Sequence, residues 1–186
     1  KITIVGSGYV GLCTAAGFAS LGHSVTCVDV DKNKVDKINR GEPPIYEEGL
    51  EKLIIKSVRS KKLIATDSLD NIASSDFIFI AVGTPSNADG SINLSYIERA
   101  SADIGRFIKR TGYCTVVVKS TVLPETTEKT IIPAIEKASG KKAGSFGVCV
   151  NPEFLREGLA MEDFFNPDRV VIGLLVSMSG NALRSL

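Results

Sequence analysis

A short apolar run followed directly by closely spaced glycines opens the chain, and this order of residues constrains the fold more than any other feature. Residues Ile2 to Val5 are apolar or β-branched, as in a strand buried on both faces, and Gly6-Ser7-Gly8-Tyr9-Val10-Gly11 follows at once. Apolar residues from Val10 to Leu21 then predict a helix that Gly22 ends. A strand, a glycine-rich turn and a helix in this order predict the first unit of a parallel α/β sheet.

The same alternation of strands and helices continues along the chain. Further strands are predicted at Val25–Val30, Leu63–Ala65, Asp76–Val82, Thr115–Lys119, Phe146–Val150 and Arg169–Val176. Helices are predicted at Lys32–Asn39, Leu50–Val58, Leu94–Arg110 and Pro124–Ala138, with a helical stretch after Asn151-Pro152 and the start of another within Ser177–Leu186. A chain of 186 residues is the size of one domain. We therefore expect residues 1–186 to form one α/β, Rossmann-like, doubly wound and mostly parallel sheet with helices on both faces.

The charge balance excludes several classes of partner. Lys and Arg number 22 against 21 Asp and Glu, which gives a net charge of +1. So small a charge provides no general field that would hold nucleic acid or an anionic membrane. No apolar run approaches the ~18 residues that a transmembrane helix needs. We therefore expect no nucleic-acid or membrane partner, and any anionic ligand must be held by a local site.

The cysteines are predicted to be structural. Cys13, Cys27, Cys114 and Cys149 show neither CxxC pairing nor a nearby histidine at metal-ligand spacing, and each lies among apolar residues. We interpret them as small buried thiols and expect no metal site. Reduced cysteines, and a chain that opens on a strand rather than a charged and apolar leader, favour the cytoplasm. His23, the single histidine, is predicted to be a solvated turn residue.

The glycine-rich turn predicts a dinucleotide site. Between a strand and a helix, it exposes backbone N–H groups and a helix N-terminus to a pyrophosphate. Asp29, at the end of the second predicted strand, can accept hydrogen bonds from a ribose and would repel a 2′-phosphate, which favours NAD over NADP. Three alternatives remain open: glycines that only permit a tight turn, flavin binding, or S-adenosylmethionine binding. Lys34 could lie over the adenine or face solvent.

Polar residues also follow three later strands, where ligands bind in doubly wound sheets. Thr84 lies in Val82-Gly83-Thr84-Pro85, and Thr121 in Lys119-Ser120-Thr121. Glu153 and Glu157 follow the strand that ends at Val150, and they would share one face if this segment is helical. Considered residue by residue, these side chains could equally be caps and surface charges.

Considered together, these motifs resemble the nucleotide-sugar 6-dehydrogenases, the family that oxidises UDP-glucose, GDP-mannose or UDP-N-acetylmannosamine. The resemblance rests on GSGYVG, the VDVD strand end, VGTP, KSTV and the long motif NPEFLREGLAMEDFFNPDRVVIG from Asn151 to Gly173. It spans essentially the whole chain but only the amino-terminal half of the family's usual length. Dehydrogenases of the 3-hydroxyacyl and 6-phosphogluconate types begin with a similar turn but lack NPEFLREG.

The resemblance implies an activity and a set of site residues. Family members oxidise a sugar C6 alcohol to a carboxylate in two NAD-dependent steps, through an enzyme-bound thiohemiacetal and thioester. Residues implied to contact NAD are Gly6, Ser7, Gly8, Tyr9, Val10, Gly11, Asp29, Lys34, Thr84, Thr121 and Glu157. Residues implied to border the sugar nucleotide are Glu153, Phe154, Leu155, Arg156 and Glu157. By the same resemblance, Thr121 and Glu153 order the catalytic water, and Glu153 is the candidate acid or base.

The family's nucleophilic cysteine belongs to a carboxyl-terminal sugar-nucleotide domain, reached through a long central helix that also carries the dimer contact, and neither is present here. Cys149 should not replace that cysteine, because burial raises a thiol pKa. We therefore expect an NAD-binding domain that binds NAD but does not oxidise a nucleotide sugar alone, within a homodimeric or larger full-length protein. UDP-glucose, oxidised to UDP-glucuronate, is the leading candidate substrate, and GDP-mannose and UDP-N-acetylmannosamine are the alternatives. A non-catalytic NAD-binding module is the alternative of a different class.

Overall fold

The computed structural model describes residues 1–108, 112–174, 183, 184 and 186 of the chain. Within them, the strands are β1 (Ile2–Val5), β2 (Val25–Val28), β3 (Leu63–Thr66), β4 (Phe77–Ile80), β5 (Thr115–Val118), β6 (Gly147–Val150) and β7 (Gly173–Leu174). The α-helices are α1 (Tyr9–Ser20), α2 (Lys32–Asn39), α3 (Leu50–Arg59), α4 (Ser95–Ile108), α5 (Ile132–Ser139) and α6 (Ala160–Phe165). A 3₁₀ helix covers Asp70–Ser74, and a π-helical turn, Thr127–Ile131, leads into α5.

The strands form one sheet in the order β3-β2-β1-β4-β5-β6-β7. Neighbouring strands from β3 to β6 are parallel, and β7 pairs antiparallel with β6. Val5 at the end of β1 pairs with Val28 and Ile80, so the carboxyl ends of these strands lie in line along one edge. From β1 the chain runs outward through β2 to β3 and then returns to β4 on the other side of β1, so the strand order reverses at β1. This reversal is the topological switch point where doubly wound sheets bind ligands. The predicted Rossmann-like fold is confirmed.

Helices cover both faces of the sheet, and the strand residues alternate between two apolar clusters. On β4, Phe79 packs in the cluster with α1 and α3, whereas Ile78 and Ile80 pack in the cluster with α4 and α5. The same alternation places Val117 in the first cluster and its neighbours on β5 in the second. Central strands buried on both faces explain why their sequences are continuously apolar. Among the described residues, no helix combines the length and apolarity that a bilayer crossing requires.

The segment after β6 differs from its predicted helical form. Residues 151–156 adopt no regular secondary structure, and α6 begins only at Ala160. A side-chain carboxylate oxygen of Glu153 accepts a hydrogen bond from the Leu155 amide at 2.6 Å, a local bond that competes with a helical one. Gly158 then turns the chain with φ of 86°. Glu153 and Glu157 therefore do not share a helix face.

The predicted ends of the last elements also differ. The strand predicted at Arg169–Val176 is reduced to Gly173–Leu174, and residues 175–176 lie outside the described residues. One reason is that the Val171 carbonyl accepts a hydrogen bond from the Asn151 side chain rather than from a strand. The helix predicted from Pro124 begins later because Glu125 has φ of 68°, which no α-helix permits. The predicted helix within 177–186 lies largely outside the described residues, although Leu183 and Arg184 are helical.

Candidate cofactor and substrate site

The three glycines of the first turn have different surroundings. Gly6 has φ of 103°, and a Cβ there would lie 2.6 Å from the Ala81 carbonyl oxygen. A Cβ on Gly11 would lie 1.9 Å from the Gly6 carbonyl oxygen. A Cβ on Gly8 would meet nothing within 4 Å. Gly6 and Gly11 are therefore required by the packing of the turn itself, whereas Gly8 borders open space at the switch point.

Gly8 is also the residue that precedes α1, and it provides no side-chain cap. The first amide groups of an uncapped helix are available to an anion in the space before them. Tyr9 and Val10, half-buried, begin the helix. We call the turn from Gly6 to Gly11, together with these amides, the cradle.

Asp29 holds the cradle in place. One oxygen of its carboxylate accepts hydrogen bonds from the Ser7 amide at 2.8 Å and the Ser7 hydroxyl at 2.5 Å, and the other accepts the Asp31 amide at 3.0 Å. Burial alone would raise the pKa of Asp29, but these hydrogen bonds and the nearby charge of Lys34 together lower it. Asp29 is therefore ionised at neutral pH, and a carboxylate has acceptor capacity beyond these three bonds for a ribose hydroxyl. The positive charge of Lys34, in the first turn of α2, acts on Asp29.

Two hydroxyl-bearing turns lie on the β4 side of the cradle. Thr84 follows β4, and Thr121 follows β5, its neighbour in the sheet. The Ser120 hydroxyl donates to the Val82 carbonyl at 2.7 Å and so joins the two turns. Ser120 is buried, whereas Thr121 is exposed and Thr84 is half-buried. The sequence motif did not distinguish the hydroxyl of Ser120 from that of Thr121. In the structure, Ser120 stabilises the turn and Thr121 lies at the surface.

The segment after β6 borders a separate cavity of about 750 Å³. Glu153, Phe154, Leu155 and Arg156 all line it, opposite residues of α1 and of the segment from Pro167 to Ile172. The Arg169 guanidinium lies over the Phe154 ring, 5.2 Å from its centre. Arg156 forms a two-pronged ion pair with Asp163, at 2.6 and 3.1 Å. Glu157 is exposed on the turn beyond Arg156 and does not line the cavity.

Lys119, which the sequence analysis did not select, also lines this cavity. Its ammonium group donates to the Asn151 side chain at 3.1 Å. Burial lowers the pKa of Lys119 to about 8, although the negative charge of Glu153 raises it in part. The only available signal was its position directly after a central strand.

The predicted residues thus form two adjacent groups. The cradle, Asp29, Lys34, Thr84 and Thr121 lie along the edge from β2 to β5, and the 153–156 segment lies at the cavity beside β6. Tyr9 connects them, because its hydroxyl donates to the Arg156 carbonyl at 3.2 Å. The cradle and the 153–156 segment are therefore joined at the first residue of α1, whereas the α1 residues that line the cavity, Thr14 and Phe18, lie farther along the helix.

The cysteines have the predicted surroundings. All four side chains are buried, and burial raises the pKa of Cys149 to about 12. Cys13 and Cys27 are shifted to about 12 in the same direction, by burial first and by the nearby carboxylates of Glu47 and Asp29 second. None of these three thiols is activated as a nucleophile.

Comparison with known proteins identifies the family. Residues 1–186 match the model of the NAD-binding domain of the UDP-glucose/GDP-mannose dehydrogenase family. GDP-mannose 6-dehydrogenase of Pseudomonas putida is 46% identical over 100% of this chain and 43% of its own length. UDP-glucose 6-dehydrogenase AglM of Haloferax volcanii is 45% identical over 93% of this chain and 40% of its own.

A solved structure agrees with these relatives. The ternary complex of GDP-mannose dehydrogenase from Pseudomonas aeruginosa superposes with a TM-score of 0.97 and 45% identity, over 99% of this chain and 43% of that one. The chain thus spans less than half the length of the proteins that it matches. The open space before Gly8, the uncapped α1 amides and the ionised Asp29 fit the diphosphate and ribose of NAD.

Proposed function

Because the chain belongs to the UDP-glucose/GDP-mannose dehydrogenase family and is its NAD-binding domain, we propose that it supplies the NAD-binding half of an enzyme that oxidises a nucleotide sugar at C6. The observation that carries this proposal is the union of two features at one sheet edge. The cradle opens toward the space before Gly8, and the 153–156 segment, which lines a cavity, contacts the first residue of α1 through the Arg156 carbonyl. A dehydrogenase needs a cofactor and a sugar in such adjoining sites.

NAD accepts hydride when it is bound, and the chain's residues hold and orient it. The α1 amides bind the diphosphate, Asp29 accepts from the ribose, and Lys34 lies beside Asp29. Thr84, Thr121 and Glu157 are further proposed contacts. We assign these contacts from the family motifs, and the positions of the cradle and Asp29 support them.

Glu153 is the proposed acid or base, and Thr121 the proposed partner that helps to order its water. Glu153 is half-buried at the cavity, and its negative charge acts on the ammonium group of Lys119 at the neighbouring strand end. A carboxylate beside a bound water in a partly dry site can exchange a proton with that water. Phe154, Leu155 and Arg156 would then shape the entrance for the sugar nucleotide.

We propose UDP-glucose or GDP-mannose as the substrate of the whole protein. The sequence favours UDP-glucose, but a UDP-glucose 6-dehydrogenase and a GDP-mannose 6-dehydrogenase are almost equally similar to this domain, at 45% and 46% identity. GDP-mannose is therefore the second candidate. We also propose that the whole protein is a cytoplasmic homodimer or larger assembly.

The test has two parts. Calorimetric titration of this chain with NAD⁺ and with NADP⁺ should show binding of NAD⁺ and weaker or absent binding of NADP⁺. NADH production should be absent when the chain alone receives UDP-glucose or GDP-mannose and present when the whole protein receives its substrate. A chain that does not bind NAD⁺, or that alone produces NADH steadily, would contradict the proposal.

A further inference from the structure

A buried carboxylate in the loop between α2 and α3 contacts both halves of the site. The side chain of Glu47 is only 5% exposed. One of its oxygens accepts hydrogen bonds from the Tyr9 hydroxyl and from the Gly158 amide, the latter at 2.8 Å. The other oxygen accepts the Ala160 amide at 2.8 Å. Glu47 therefore joins the first residue of α1 to the turn after Glu157.

The hydrogen bonds keep this carboxylate ionised. Burial would raise the pKa of Glu47, but the Tyr9 hydroxyl and the amides of Gly158, Ala160 and Met161 outweigh it and lower the pKa. Burial of Tyr9 and its hydrogen bond to Glu47 raise the pKa of the phenol, so Tyr9 stays protonated as a donor. A buried charge is tolerated only when its hydrogen bonds are complete. Removal of a single donor or acceptor should therefore disturb the whole group.

These bonds fix the backbone on both sides of Glu157. The single proton of the Tyr9 hydroxyl is directed at Glu47, and the Arg156 carbonyl, 3.2 Å from the Tyr9 oxygen, is the weaker acceptor of that shared proton. Glu47 thus holds the peptide groups at 158 and 160, and Tyr9 contacts the one at 156. The cradle end of this link is secured independently, because Ser7 is bonded to Asp29 and Gly11 packs against Gly6. Loss of the link should therefore loosen residues 157–160, whereas Arg156 stays bonded to Asp163 and the cradle stays in place.

We propose that Glu47, acting through Tyr9, is a positioning residue that sets the 153–158 segment against the NAD cradle. This inference rests on the proposed function, since the segment carries the proposed acid or base and substrate contacts. Glu47 acts through the amides of Gly158 and Ala160 and through the Tyr9 hydroxyl. Its contribution is the alignment of cofactor and sugar, in which a displacement of about 1 Å can cost roughly 100-fold in rate.

The first test follows hydrogen exchange in this chain. Glu47→Gln keeps the shape of the side chain but turns an NH₂ group toward a backbone N–H. Amide exchange at Gly158 and Ala160 should accelerate by about tenfold or more, while NAD⁺ affinity stays within about twofold. Glu48→Gln is the matched control, because Glu48 is the exposed neighbour and the chemical change is identical. Unchanged exchange in Glu47→Gln would overturn the link.

The second test measures activity of the whole protein. With Glu47→Gln we expect kcat per folded molecule to fall by about 10- to 100-fold, with little change in the KM for NAD⁺. A purely structural role would lower the melting temperature and leave kcat per folded molecule unchanged, and that result would refute positioning. Tyr9→Phe, which keeps the ring and removes the hydroxyl, should reproduce the fall in kcat and serves if Glu47→Gln folds poorly. If the wild-type protein were inactive on nucleotide sugars, the proposed function would be refuted instead. The hydrogen-exchange experiment, which does not depend on activity, would still show whether Glu47 holds the segment.

Discussion

Substitution of Gly8 by alanine should separate cofactor binding from folding. Gly8 has φ of −67° and ψ of −172°, which alanine adopts freely, and the added Cβ would meet nothing within 4 Å. A Gly→Ala change in a compatible conformation stabilises the fold by about 0.4–1 kcal/mol, because it restricts the unfolded chain. Replacing glycine by alanine at the residue before a helix costs about 0.5–1 kcal/mol. We therefore expect the free energy of unfolding to change by less than about 1 kcal/mol.

The same methyl group occupies the space before the α1 amides that the diphosphate needs. Loss of one charge-assisted hydrogen bond costs about 1.5–3 kcal/mol, which corresponds to a roughly 10- to 150-fold weaker Kd for NAD⁺. Calorimetry gives the Kd and urea unfolding gives the stability. Gly112→Ala is the matched control, because a Cβ there also meets nothing within 4 Å and residue 112 precedes β5 at the opposite edge of the sheet. If Gly8→Ala bound NAD⁺ as tightly as the wild type, the diphosphate would not lie before Gly8, and the assignment of the cradle would be wrong.

Three other substitutions test separate parts of the structure. Asp29→Asn replaces one acceptor oxygen by a donor that faces Ser7 or Asp31. The free energy of NAD⁺ binding should therefore weaken by about 1–3 kcal/mol, and the preference for NAD⁺ over NADP⁺ should shrink. Equal calorimetric affinities for the variant and the wild type would exclude Asp29 as the ribose acceptor. Burial lowers the pKa of Lys119 from 10.5 to about 8. Between these pH values the unfolded chain binds more protons than the folded one, so the stability of the wild type relative to Lys119→Met should rise as the pH increases. If the difference between the two proteins in urea unfolding did not depend on pH, the pKa shift would be contradicted. Gly105→Ala places a Cβ 2.8 Å from the Ile135 carbonyl oxygen, and we expect a loss of about 1–3 kcal/mol in unfolding free energy, whereas a stabilised variant would show that α4 and α5 can separate at no cost.

The parts of the fold that sequence predicted are those set by local patterns. β-branched and apolar runs located the central strands. Gly6 and Gly8 between β1 and α1, with Gly11 in the first turn of α1, located the cradle. The helix predicted across Glu153 and Glu157 was wrong, because the Glu153 carboxylate bonds the Leu155 amide and residues 151–156 take no helical form. A periodic pattern of side chains cannot reveal such a side-chain to backbone bond.

Glu47 and Lys119 were missed for a different reason. Glu47 bonds Gly158 across 111 residues of sequence, and Lys119 bonds Asn151 across 32. The sequence around Glu47 is typical of a loop and that around Lys119 of a strand end, where charged side chains are ordinarily exposed. Their burial follows from the strand order, which brings distant loops together and which local spacing does not determine.

The structure joins the loops of the site to one another in pairs rather than only to the sheet. Asp29 holds the cradle through Ser7, Ser120 holds the turn at Val82, and Glu47 holds the segment after β6. Parallel strands that end in register supply the common edge, but loops on such an edge would be free to move independently without these bonds. Ser120 and Glu47, which are not among the proposed contacts of cofactor or sugar, can therefore alter affinity or rate through these cross-links. Substitutions at Ser120 and Glu47 should accordingly affect the site more than their distance from a ligand suggests, and substitutions at exposed neighbours such as Glu48 should not.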